Sequence, residues 1–84
     1  MSTYEIEILD NNNILFNRQY YSSVNKILLE IEKFCENQDS IVKFEYKEAN
    51  RIFNNKTLIC YGDIFEIEND KILYNFNIYK LIVK

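Results

Sequence analysis

Tyr4, Ile6 and Ile8 alternate with Glu5 and Glu7, the period of two that marks a half-buried strand. A second apolar stretch, Ile14 to Tyr21, follows the turn-prone run Asp10-Asn11-Asn12-Asn13. A two-residue loop would set Glu7 opposite Phe16. A three-residue loop at Asn11 to Asn13 instead pairs Ile8 with Phe16 and Tyr4 with Tyr20, so the sequence predicts a hairpin in that register, with Asn in the left-handed conformation that Gly usually supplies.

Ser22 and Ser23 can accept the first free N–H groups of a helix. From there Val24, Ile27, Leu28, Ile31, Phe34 and Cys35 recur at the spacing of one helical face, while Asn25, Lys26, Glu30, Glu32, Lys33 and Glu36 fall on the other. Asn37 suits the C-terminal cap, and Gln38-Asp39-Ser40 reads as the exit.

Val42, Phe44 and Tyr46 then alternate with Lys43, Glu45 and Lys47, which predicts a strand over Ile41 to Lys47. Residues 48–56 admit a short strand at Ile52-Phe53, flanked by the turn-prone Asn50 and Asn54-Asn55. Gly62-Asp63 and Asn69-Asp70 read as two-residue hairpin loops. With both loops in place, Cys60 pairs with Phe65, Leu58 with Ile67, Ile67 with Ile72 and Phe65 with Tyr74, and Glu68 lies opposite Lys71. One face then reads Leu58, Cys60, Phe65, Ile67, Ile72, Tyr74, Phe76, Ile78 without a polar residue.

The expected fold is α+β: a single helix packed on one face of an antiparallel or mixed sheet, in the order ββαβ(β)βββ, with residues 1–84 as one domain. The opening strand, strand, helix, strand order resembles that of ubiquitin-like β-grasp domains, an analogy of element order that carries no motif. The chain ends Leu81-Ile82-Val83-Lys84, without the terminal Gly-Gly that conjugated or sulfur-carrying members of that class need.

Composition changes how these patterns are weighed. Ile, Asn, Lys, Tyr, Phe and Met, all with codons built largely from A and T, make up 47 of the 84 residues. Their enrichment therefore says little about function, whereas what the chain lacks says more. It has no His, no Pro, no Trp and one Gly. A phosphate-cradling loop or a dinucleotide fingerprint needs two or three glycines, and most zinc sites and nucleophile–imidazole pairs need His, so all of these are excluded. The net charge of −3 divides into an acidic first half and a slightly basic second half. Neither half has the concentrated positive field that binding a phosphate backbone requires. With no apolar run of membrane-spanning length and no basic region leading into an apolar one at the N-terminus, the expectation is a cytoplasmic protein with no membrane partner.

Candidate chemistry is sparse. Cys35 and Cys60 fall on the predicted core face and read as buried thiols. Glu5/Glu7 and Glu66/Glu68 are carboxylate pairs two apart on strands. In a cleft such a pair could hold a cation or move protons, but it is more commonly the wet side of a strand. Asn55-Lys56-Thr57 matches a glycosylation sequon, a coincidence in a chain with twelve asparagines. No catalytic residue, cofactor, metal or small-molecule substrate is expected, and the chain is read as not an enzyme.

The predicted register puts Ile59, Tyr61, Ile64, Leu73 and Tyr79 on the face away from the helix, interspersed with Glu66, Asn75 and Asn77. An apolar and aromatic patch on an open sheet face marks an interaction surface. The leading expectation is a small protein-binding module or inhibitor, of the kind phages and mobile elements encode, that occupies a partner protein or a second copy through these five residues. A second reading is a single-stranded nucleic-acid-binding domain, with Tyr61, Tyr74 or Tyr79 stacking on bases and Lys43, Lys47, Arg51, Lys56 and Lys71 meeting phosphates. A third is a structural subunit or homodimeric assembly protein.

Overall fold

The computed structural model describes residues 2–82; Met1, Val83 and Lys84, and the expectations that rest on them, lie outside it. The described residues form strands β1 (Tyr4–Asp10) and β2 (Leu15–Tyr21), helix α1 (Val24–Glu36), and strands β3 (Val42–Ile52), β4 (Lys56–Glu66) and β5 (Ile72–Leu81). The strands make one sheet in the order β2-β1-β5-β4-β3, antiparallel at every junction. The helix packs on one face, giving the α+β class and the order ββαβββ.

The helix forms where its pattern places it. The Ser23 hydroxyl accepts from the Lys26 N–H at 3.2 Å, and Asn37 closes the last turn by donating to the Lys33 carbonyl at 3.2 Å. Ile27 and Ile31, one turn apart, sit fully buried on Ile6, Ile8, Phe76, Ile78 and Ile64. Each such side chain contributes about 2 kcal/mol by leaving water.

The first hairpin has the three-residue loop read from the sequence, but its register differs beyond it. Asp10 accepts from the N–H groups of Asn12 and Ile14 through its side chain, and Asn13 is left-handed at φ 62°. Leu9 pairs with Leu15, yet Ile8 pairs with Asn17 and Tyr4 with Tyr21 rather than with Phe16 and Tyr20. Phe16 is the extra residue of a β-bulge, and its ring lies 5.9 Å from Phe34 and 5.0 Å from Tyr74. This three-ring cluster closes the helix's C-terminal end, which explains why the strand gives up one step of register there.

The larger correction concerns Gly62-Asp63, which is not a turn. β4 runs straight through it, and Gly62 sits opposite Tyr46 on one side and Phe76 on the other. The actual hairpin loop is at Asn54-Asn55: β3 continues to Ile52, and the Phe53 N–H donates to the Lys56 carbonyl at 2.8 Å. Neither a separate Ile52-Phe53 strand nor a pair of strands folded back at Gly62 forms; the meander is made by β3, β4 and β5. A side chain at Gly62 would run into the backbone carbonyl oxygen of Glu45 and come within 2.7 Å of Phe76 Cζ. The glycine provides room for a ring and a neighbouring strand, not a bend.

At the other end β4 stops at Glu66, whose N–H donates to the Lys71 carbonyl at 2.8 Å. Ile67 donates instead to Ile41, which lengthens the loop, with Asp70 left-handed within it at φ 55°. Phe65 therefore pairs with Ile72 and Ile64 with Tyr74, and the expected pairs of Ile67 with Ile72 and Glu68 with Lys71 do not form.

Candidate interaction surface

One helix covers one face of five strands, so the outer face lies open. Residues directly opposite in an antiparallel sheet share a face, which assigns the outer side strand by strand. Because β4 is a single strand, Cys60, Gly62 and Ile64 face the helix, while Tyr61, Asp63 and Phe65 face outward. The expected hairpin at Gly62 would have exchanged Ile64 and Phe65 between the two faces.

The five residues expected on an outer patch are thus separated. Ile64 is in the core with 0% of its surface exposed. Ile59 and Leu73 sit at β-bulges and pack against the core. Tyr79 is on the outer side, opposite Glu5, but is only 9% exposed: the Lys56 ammonium lies 4.0 Å above its ring and Phe53 meets it edge-on at 6.1 Å. Tyr61, 43% exposed, is the one that is both outward-facing and open to solvent. Around it the outer face carries Phe65 and Leu58, both half-buried, Phe53 at the β3–β4 turn and Tyr20 on β2.

The centre of this face is polar. Glu5 and Glu7 point outward from β1, with Glu5 only 5% exposed. Lys56 Nζ approaches Glu5 Oε2 at 3.1 Å, Arg18 Nε lies 3.7 Å from the same oxygen, and the other arm of the Arg18 guanidinium donates to Glu7 Oε2 at 3.0 Å. Asn77 Nδ2 and the Tyr79 hydroxyl donate to Glu7 Oε1 at 3.2 and 3.5 Å. Burial alone would raise the Glu7 carboxyl's pKa, but the Arg18 and Asn77 hydrogen bonds and the nearby positive charges outweigh it and hold it below the ordinary value. Burial, reinforced by the charges of Glu7 and Glu5, raises the pKa of the Tyr79 phenol, which stays a donor.

These carboxylates are therefore occupied. A lowered pKa makes Glu7 a poor general acid, and two cations stand where a metal ion would. The depressed Glu7 pKa also predicts acid sensitivity of a definite sign. Its stabilising contribution is complete above the ordinary glutamate value of 4.5 and is lost as pH falls through the lower folded value. In urea titrations between about pH 5 and pH 2.5, wild type is expected to lose more stability than Glu7→Gln. Parallel curves for the two proteins would show that Glu7 carries none of it.

Elsewhere the candidate chemistry is equally quiet. Glu66 ends β4 while Glu68 lies in the following loop, so they do not form a facing pair. Cys60 is buried and Cys35 half-buried, both as free thiols. Desolvation raises both pKa values, helped by Glu32 and Glu36 at Cys35 and by Glu48 at Cys60, so neither is poised as a thiolate. Among the described residues no cluster of three Cys, Asp or Glu could hold a metal ion, and no helix is long and apolar enough to cross a membrane.

Sequence reasoning missed Arg18 as part of this face, gave Lys56 only as a phosphate contact in the nucleic-acid reading, and missed Phe53 and Phe65. The signal that could have found the last three was Asn54-Asn55. Read as the hairpin loop, it extends β3 and β4 on either side and makes the single-strand reading of β4 follow. No family model, curated protein or solved structure matches the chain in sequence or fold.

Proposed function

We propose that this chain is a non-catalytic protein-binding module that acts by occupancy, as a small inhibitor or an assembly subunit does, through the outer face of its sheet. The observation that carries this reading is the pairing of Tyr61, Phe53 and Phe65 at the surface with a polar centre whose hydrogen bonds and charges are already satisfied. A surface whose polar groups are internally paired loses little on desolvation, and its aromatic flanks supply rigid apolar contact. The exposed area agrees: 6034 Å² against about 5,300 Å² for a compact monomer of this mass.

The nucleic-acid reading has one observation in its favour, that Lys43, Lys47 and Arg51 lie on the same face as Tyr61. Against it, Glu45 and Asp63 interleave with them, Tyr79 is covered, and Tyr74 belongs to the helix-facing side. One exposed aromatic in a near-neutral field does not make a strand-binding groove.

The test is quantitative affinity capture from the native host with wild type and Tyr61→Asp, each shown to be folded by circular dichroism. A central aromatic contact accounts for about 2 kcal/mol, so partner recovery is expected to fall about 30-fold. Equal recovery by both proteins would sink the proposal, and so would salt-sensitive retention on single-stranded DNA or RNA that Tyr61→Asp abolishes.

A further inference from the structure

We infer that two copies of this chain join edge to edge through β3, antiparallel about a two-fold axis at Tyr46, so that two five-stranded sheets become one. This goes beyond the binding role of the outer face and does not rest on it, because edge pairing leaves that face uncovered.

β3 is an outer strand of the sheet, eleven residues long and without proline. The Ile41 carbonyl accepts from the Ile67 N–H at 3.1 Å, and alternate residues of an antiparallel ladder face the neighbouring strand. Lys43, Glu45 and Lys47 therefore direct their backbone groups to β4, whereas those of Phe44, Tyr46 and Glu48 point away from it. Such a row of outward-facing N–H and C=O groups is a template for another strand, which proteins normally block with like charges, proline or bulges. β3 has its own irregularity between Glu48 and Arg51, which leaves Val42–Glu48 as a regular seven-residue edge; the other edge, β2, has seven residues in all and is broken by the Phe16 bulge.

Side chains choose the occupant. Centred on Tyr46, a second copy of β3 sets Glu45 opposite its Lys47, and Lys47 opposite its Glu45. Shifting the axis to Glu45 would set Glu45 against itself and Lys43 against Lys47. Centring on Phe44 keeps a Lys43–Glu45 match over an equally long regular stretch, five residues within Val42–Glu48, but leaves Tyr46, the more exposed of the two rings, beside Val42 rather than on its own counterpart, so the Tyr46 axis buries more apolar surface. Within one copy Glu45 lies directly opposite Asp63, an unfavourable like-charge pair that Lys47 of the second copy would relieve. Tyr46 is 49% exposed and stacks on Phe44 with ring centroids 6.3 Å apart. Two-fold pairing buries its open half against its own counterpart. The charge pattern is thus self-complementary and apolar at its centre, as an isologous contact must be.

Sedimentation equilibrium on the full chain tests this, with wild type, Glu45→Lys, Lys47→Glu and the double variant, each confirmed as folded by circular dichroism. Both substituted side chains are exposed, and Glu45→Lys removes the clash with Asp63. Wild type is expected to dimerise reversibly in the micromolar range, as suits an interface of under about 1,200 Å². Each single reversal acts twice across the axis and should weaken the dimer about tenfold or more, and the double reversal should restore it. Tyr46→Pro, which removes an outward N–H without touching the β4 ladder, should abolish it. A wild type that stays monomeric at about 500 µM would overturn the inference. So would a dimer indifferent to the single reversals, or one that the double reversal fails to rescue.

Discussion

Replacing Gly62 by alanine is expected to lower the stability of this chain by about 3 kcal/mol, the upper end of what overpacking a strand interior costs. The added methyl group would meet the Glu45 carbonyl oxygen on one side and Phe76 Cζ, 2.7 Å away, on the other. The ring could swing aside, but the carbonyl is backbone held in the β3–β4 ladder and cannot. Phe76→Leu in the alanine background is therefore expected to recover only part of the loss, with coupling between the two sites visible in a double-mutant cycle. The measurement is urea unfolding with the slope held constant. A shift of less than about 0.5 kcal/mol would mean that the strands separate at Gly62 at no cost. If Gly62 instead occupied a two-residue turn, alanine would act through backbone conformation and would leave no coupling to Phe76.

The second large effect separates neighbouring positions of β4. Ile64→Asp places a carboxylate where the side chain is 0% exposed, among Phe76, Ile78 and the helix isoleucines, with no cation within the core. The penalty of several kcal/mol is comparable with the whole stability expected of a domain this small, so the variant should show no cooperative unfolding transition at 25 °C. Tyr61→Asp, three residues away on the opposite face, should change stability by no more than about 0.5 kcal/mol, and Phe65→Asp by less than Ile64→Asp. A folded Ile64→Asp beside an unfolded Phe65→Asp would reverse the face assignment and with it the outer surface proposed for binding.

The helix was legible down to its caps, because Ser23, the 3,4-spaced apolar residues and Asn37 are local signals that act on one another within a few residues. The loop of the first hairpin was legible for the same reason: an Asp side chain and a left-handed Asn close it from within. Its register was not, because Phe16 leaves the ladder to reach Phe34 and Tyr74, partners far away along the chain. Gly62-Asp63 was misread because Gly marks both a turn and a close approach of strands, and only the position of Phe76 distinguishes the two. That single misreading moved Ile64 outward and Phe65 inward and so produced the expected patch of Ile59, Tyr61, Ile64, Leu73 and Tyr79. Of these five, Tyr61 alone stands open on the outer face.

The Glu5/Glu7 pair shows the same boundary from the side of the chemistry. Alternation on β1 placed both carboxylates on one face, as in the structure, but the cations that occupy them come from β2 and from the start of β4, and Asn77 and Tyr79 arrive on β5. By itself, then, the sequence determined the element types, the α+β class with one helix on an antiparallel or mixed sheet, and the absence of the residues needed for phosphate-loop and imidazole chemistry, since periodicity and composition are properties of the chain alone. Tertiary structure decided the strand registers, the neutralisation of the buried acids and which aromatics reach solvent, since each depends on contacts between residues tens of positions apart.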